Sequence, residues 1–274
     1  MVLHKYGGYP RQKGWDVFCA CSRQMARLQV YHLLNCLRAG ERPAECVPAP
    51  PPGRTLVEFA AAAWTPFHAV YFRDPSFPGH HREPAWLAFA EGIESRIRRH
   101  PDMPLASLTD FIYDECVAAR VEEDLKKNLA TWDEPCPFGA FRYDAHDDYV
   151  ALHFHNVYMP ESPFEKPERL FQSLRDIAED IRRRGLAVRR IGVDSWIDYL
   201  EPFQALFPAS FAKSLAPTSP DNKAGNGWWG QFILRTGAFH EKRAERLRQT
   251  RRFDYVRAHG ECGFDEFCAH IARK

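Results

Sequence analysis

No apolar run in these 274 residues approaches the ~20 that a membrane-crossing helix needs. Net charge is almost absent: 37 Lys and Arg stand against 36 Asp and Glu, so the positive surplus of a nucleic-acid binder is missing overall. The local clusters Arg182-Arg183-Arg184 and Arg251-Arg252 read as solvated helix ends. No Gly-x-x-x-x-Gly-Lys-Ser/Thr loop is present, which excludes nucleotide binding through a P-loop. No Gly-x-Ser-x-Gly elbow surrounds Ser195, which argues against its serving as a nucleophile. The cysteines Cys19-x-Cys21 and Cys262-x5-Cys268 lack the paired spacing of a zinc ribbon. With no apolar stretch of signal-peptide type after Lys5, Arg11 and Lys13, the thiols are expected to be reduced and the location cytoplasmic.

What is present is 45% apolar residue content, enough for a buried core, and a hydrophobic period that changes along the chain. From Trp15 to Leu37 the residues Val17, Phe18, Met25, Leu28, Tyr31, Leu34 and Leu37 recur at helical spacing. Pro48 and Pro50-Pro51-Pro52-Gly53 then form a stiff linker, which suggests that the first helix is an appendage. Helices are predicted over Leu56–Tyr71, Trp86–Arg99 and, with Ser107 as N-cap, on to Leu125. Near residue 140 the pattern turns to strand. Asp147-Asp148 reads as a turn, and Val150, Leu152 and Phe154 alternate along Tyr149–His155. An amphipathic helix over Glu168–Arg184 ends at Gly185, and a second strand covers Val188–Ile197. That order is a β–α–β unit whose strands should be sheet neighbours. Trp228–Leu234 is a third strand candidate, followed by helices over Glu241–Thr250 and Phe264–Ala272. The expected fold class is α+β, a helical N-terminal region followed by a small mixed β-sheet with flanking helices. Its divisions are 1–53 (helix and linker), 54–140 (helical) and 141–274 (mixed).

The candidate chemistry gathers in the last division. His153 and His155 lie two apart on a strand and so share a face, with Asn156 at the strand end. A metal is one reading of the pair, with His146 or Asp194 completing the ligands; a polar sheet face is the plainer one. Asp194 and Ser195 end the second strand, where open α/β sheets place ligands. Gly225-Asn226-Gly227-Trp228-Trp229-Gly230-Gln231 offers adjacent indoles as a flat ligand wall, or else a loop leading into an edge strand. His80-His81 reads as exposed loop, and the acids Asp110 to Glu123 read as a solvated helix face.

The order Leu152-His153-Phe154-His155, a Pro-containing loop, a helix with Ser173-Leu174 and Ala178, a strand ending Asp194-Ser195-Trp196-Ile197, then Leu206-Phe207-Pro208 and Ser210 resembles the C-terminal half of GNAT-like acyltransferase-type proteins. The resemblance covers about residues 145–211. It implies a GNAT-like sheet, acyl-CoA as cofactor and transfer of an acyl group to a small-molecule substrate. The Arg/Gln-x-x-Gly-x-Gly/Ala loop, whose amides hold the pyrophosphate in acetyl-CoA-using members, is absent here. The expectation carried forward is acyl transfer from an acyl-CoA or aminoacyl donor. His153, His155, Asp194 and Ser195 would do the chemistry, with Asn156, Trp228, Trp229 and Gln231 contacting the bound group. A metal-dependent enzyme using His153 and His155, and a non-catalytic binding protein, are the alternatives. Neither nucleic acid nor membrane is an expected partner.

Overall fold

A computed structural model of the chain describes residues 3–38, 99–217 and 226–274. The Pro48–Gly53 linker, the helix expected over Leu56–Tyr71, His80-His81 and all but the last residue of Trp86–Arg99 lie outside the described residues. The architecture is mixed: helices around a five-stranded sheet, plus one small two-stranded pairing.

A short strand β1 (Leu3–His4) leads into α1 (Arg11–Arg38). Cys21, Met25, Leu28 and His32 recur at three- and four-residue spacing and are all buried. Against them pack Leu108 and Ile112 of α2 (Leu105–Ile112) and Val121 and Leu125 of α3 (Ala118–Ala130). One turn of π-helix, Tyr113–Val117, joins α2 to α3. Arg27 stacks over the Tyr113 ring at 4.0 Å and pairs with Asp110 and Asp114, and Arg23 pairs with Glu122 at 2.6 Å. The acids read as a solvated face are in these three cases the ion-pair partners of α1. Pro104, not Ser107, precedes the first helical residue: the helix starts a turn earlier than expected because Leu105 and Leu108 already face α1.

Strand β2 (Pro135–Cys136) pairs with β1. The main sheet begins with β3 (Phe141–His146) and β4 (Tyr149–Phe154), an antiparallel hairpin turning at Asp147-Asp148. Asp147 takes φ 44, a left-handed conformation that Asp tolerates better than most residues. Helix α4 (Pro167–Arg183) crosses over to β5 (Arg190–Ser195), which runs parallel to β4, so the predicted β–α–β unit is present. Gly185, at φ 65, ends α4: its N–H bonds the Arg182 carbonyl while that of Leu186 bonds Ile181, a Schellman closure. After a 3-10 turn (Trp196–Tyr199) come α5 (Glu201–Gln204), α6 (Ala209–Ser214) and β6 (Ala216–Pro217). Then follow α7 (Asn226–Trp229), a 3-10 turn (Gly230–Phe232), α8 (Glu241–Thr250), β7 (Ala258–Gly263) and α9 (Phe264–Ile271). The sheet order is β3-β4-β5-β7-β6.

The third expected strand is thus corrected: Trp228–Leu234 opens as helix. Trp228, Trp229 and Phe232 are spaced one, three and four apart, a helical stripe, and all three are buried in the cluster built on α1. Ala244 and Leu247 of α8 join the same cluster, so α1 belongs to the body of the fold rather than standing outside it. A second cluster covers one sheet face. Phe141, Val150, Leu152, Ile191, Val193 and Cys262 pack there against Leu170, Leu174, Ile177 and Ile181 of α4 and Phe267 and Ile271 of α9. Strand β7 has almost no strand propensity, reading Ala-His-Gly-Glu-Cys-Gly. Pairing on both sides places it, and Gly260 lets it lie flat: a Cβ there would stand 2.6 Å from the Phe211 ring. Gly260→Ala is therefore expected to destabilise the protein by about 1–3 kcal/mol. That is a loss of a few degrees in Tm, read by thermal unfolding, with Gly263→Ala as the tolerated control because its Cβ meets nothing closer than 4.0 Å.

Candidate functional site

The sheet has one apolar and one polar face, and strand alternation sorts them. Phe141, Val150, Leu152, Ile191, Val193 and Cys262 point to the helices. Their neighbours in register point the other way: Arg142, Asp144 and His146 of β3, Tyr149 and His153 of β4, Arg190 and Asp194 of β5, His259 and Glu261 of β7. A Cβ at Gly192 would meet the Tyr149 hydroxyl at 2.8 Å, so the phenol lies across β5 on this face.

The parallel ladder between β4 and β5 runs only from Tyr149↔Arg190 to Leu152↔Val193. Beyond it β4 stays paired with β3 as far as Phe154↔Phe141, while β5 stays paired with β7 as far as Ser195↔Ala258. The two strands therefore part at their carboxyl ends. His153 and Asp194 are the first residues of the two arms and face the same side. A gap at the carboxyl ends of parallel strands is where open α/β sheets admit ligands.

His153 Nε2 lies 2.7 Å from Asp144 Oδ2, a diagonal cross-strand contact. With Nε2 held by the carboxylate, Nδ1 is the nitrogen left to take a proton. His155 stands just beyond β4, its N–H on the Ala140 carbonyl at 2.9 Å. Burial, and then the charges of Arg142, Lys5 and His153, push its imidazole down to about 4, so it is neutral at physiological pH. Asp194 is gripped by Arg257, with Nε 2.6 Å from Oδ1 and the second contact at 2.7 Å. The Ser195 hydroxyl accepts the Ile197 N–H at 3.4 Å and caps the 3-10 turn, a positioning duty rather than a nucleophile's. The other arm of that capping box is Asp198, fully buried, whose Oδ2 accepts the Ser195 N–H at 3.2 Å. Its Oδ1 has no partner among the described residues, and burial raises the carboxyl to about 8 despite that bond.

The remaining predicted contacts lie elsewhere. Asn156 clamps its own loop: its amide donates to the Glu161 and Arg235 carbonyls and its oxygen accepts the Tyr158 N–H. Trp228 and Trp229 are 2% and 1% exposed inside the α1 cluster, so neither indole is a wall beside the histidines. Gln231, wholly buried, donates to the Trp228 and Tyr255 carbonyls and accepts the Tyr255 N–H, tying two segments together. Gly225, Gly227 and Gly230 have the spacing of a dinucleotide loop. The helix at that string is only Asn226–Trp229 and is not the crossover of a β–α–β unit, so the context such a loop needs is missing. Asp144, Arg142, Asp198 and Arg257 were not foreseen. The alternation of Phe141, Tyr143 and Ala145 with Arg142, Asp144 and His146 is the signal that marks the first two.

At the other end of the polar face, a shallow hollow of about 330 Å³ opens around Tyr149, Arg190, His259 and Glu261. Arg190 bridges Asp148 and Glu261 there at 3.3 and 3.1 Å. Among the described residues no three of His, Cys, Asp and Glu converge closely enough to hold a metal ion. Among those residues the donor set around His153 and His155 thus does not fit a metal. Also among the described residues, no helix is long and apolar enough to cross a membrane. Comparison of the chain with protein-family models, with curated proteins and with solved structures returns no match.

Asp198 gives the site a pH signature. Its folded-state value lies above the ordinary 3.8, so the folded chain keeps a proton that the unfolded chain releases. Its contribution to stability is full below about pH 4 and is lost as pH rises through about 8. Asp198→Asn retains an acceptor for the Ser195 N–H and cannot ionise. Its stability gain over the parent, read by denaturant unfolding, is expected to be larger at pH 8 than at pH 5. An equal gain at both would show that Asp198 is not the titrating group.

Proposed function

We propose that this protein is an acyl-transfer enzyme whose reacting groups meet where β4 and β5 part. The observation that carries the reading is the Asp144–His153 pair at the mouth of that gap. An imidazole oriented by a carboxylate, with its other nitrogen free, suits removal of a proton from an attacking amine or hydroxyl. The acceptor's lone pair then forms the new bond to the acyl carbon, the bond to the donor's leaving group breaks, and the proton on His153 passes to that leaving group. The resemblance over residues 145–211 points to the same class, as does the crossover helix between the two strands.

The start of α4 bears on the donor. Pro167, its first residue, has no N–H to offer a phosphate. Glu161 holds both cations nearby, Lys166 at 3.2 Å and Arg169 at 3.1 Å. A carboxylate in that position opposes a pyrophosphate. Together with the missing glycine loop, it favours an aminoacyl or other small activated acyl donor over acyl-CoA.

Transfer assays with labelled CoA thioesters and aminoacyl donors, each against an extract of small-molecule acceptors, test the reading. His153→Ala is expected to lower the rate by about 10²–10⁴-fold with folding intact. Asp144→Asn should lower it less, and move the pH dependence, because the imidazole loses its orienting charge. Undiminished transfer by His153→Ala would remove the assignment.

A further inference from the structure

The polar face carries three arginines, and two are neutralised within it: Arg190 by Asp148 and Glu261, Arg257 by Asp194. Arg142 is different. It lies opposite His153 in the β3–β4 ladder, exposed, and makes no ion pair among the described residues. The nearest acid on its own strand face, Asp144, is engaged by His153. Lys5 adds a second positive charge close to the same corner; its ammonium donates to Asn128 at 2.9 Å and sits 4.2 Å over the Phe18 ring. The charges of Arg142, Lys5 and His153 all act on His155 in the same sense, against its protonation. A neutral imidazole at that place adds hydrogen-bonding capacity without a competing charge.

From this arrangement we infer that the gap between β4 and β5 takes a substrate bearing an oxyanion, a carboxylate or a phosphate, seated on Arg142 beside His155. The assignment of this anion as part of the reacting substrate rests on the acyl-transfer reading; the anion site itself does not. A guanidinium presents two parallel N–H donors to such a group, which fixes orientation as well as charge. Cross-strand partners have Cβ atoms about 5 Å apart, so an anion on Arg142 is within one small molecule's length of His153. The site would thus orient its substrate by the charged end and present the uncharged end to the base.

The test uses the full chain and two probes, inorganic phosphate and acetate, followed through the imidazole NMR signals of His153 and His155. Saturable shifts in both signals are expected, with the His155 pKa rising from about 4 on anion binding because the added negative charge offsets Arg142. Arg142→Gln should abolish saturation, and, without any anion, should itself raise the His155 pKa. Arg142→Lys should retain binding weakened by about two- to fivefold, the range for one exposed charge contact. Arg189→Gln, which removes another exposed arginine, should change nothing. Whichever probe saturates at lower concentration names the oxyanion. The inference is overturned if neither probe saturates, or if saturation survives in Arg142→Gln. Because no turnover is measured, this result is independent of the assay that tests acyl transfer.

Discussion

Strand β5 has two neighbours that hold it unequally. On one side β7 pairs with it along all six residues, from Arg190↔Gly263 to Ser195↔Ala258. On the other, β4 stays with it for only four, ending at Leu152↔Val193. Each strand twists with its better-paired partner, so β4 follows β3, β5 follows β7, and the carboxyl ends separate. Other features of the candidate site follow from this split. Asp194 is carried to Arg257 by its β7 side, and His153 is carried to Asp144 by its β3 side. Ser195 and Asp198 close the end of β5 with a reciprocal cap where the ladder to β4 no longer supports it.

The polar face is charged without being uniformly so. Along its length acids and bases are matched: Asp148 and Glu261 with Arg190, Asp194 with Arg257, Asp144 with His153. Apart from the more enclosed Arg257–Asp194, these pairs are exposed or half-exposed and each is worth little in stability. Their effect is to set side-chain directions on a sheet face that, among the described residues, has no helix stripe packed on it comparable to that of α4 on the other. Buried titratable groups behave oppositely. His32, enclosed among Trp229 and Phe253, falls to about 3 by burial, and Cys21 and Cys262 rise to about 12 for the same reason. Thiols held so far from ionisation are poor nucleophiles.

Much of the architecture was readable wherever side-chain period and local punctuation agreed. Leu170, Leu174, Ile177 and Ile181 with Gly185 behind them mark α4, and Val150, Leu152 and Phe154 mark β4. The parallel pairing of β4 and β5 followed from the length of the crossover. Strand β7 was not readable, because Ala258 to Gly263 carries no strand preference and owes its conformation to neighbours on both sides. Trp228–Leu234 was misread because aromatic content suggests a strand, whereas the one-three-four spacing of Trp228, Trp229 and Phe232 decides for a helix. Among site residues, His153 and Asp194 were visible as polar residues late in strands. Asp144 and Arg142 were marked only by the alternation along Phe141–His146; their pairing with His153 is a matter of register, which a single strand's sequence does not contain.

The Gln231 clamp and the indoles beside it have a consequence for how the chain folds. Helix α1 buries its stripe against Trp228, Trp229, Phe232 and Leu247, partners roughly two hundred positions later in the chain. Leu108, Ile112, Val121 and Leu125 of α2 and α3 cover part of that stripe, and the rest closes only across this long separation. Such long-range closure slows folding. The sheet depends on distance in the same way, because β5 takes its stronger neighbour from β7, more than sixty positions later. Both clusters thus close only through contacts between residues far apart in sequence.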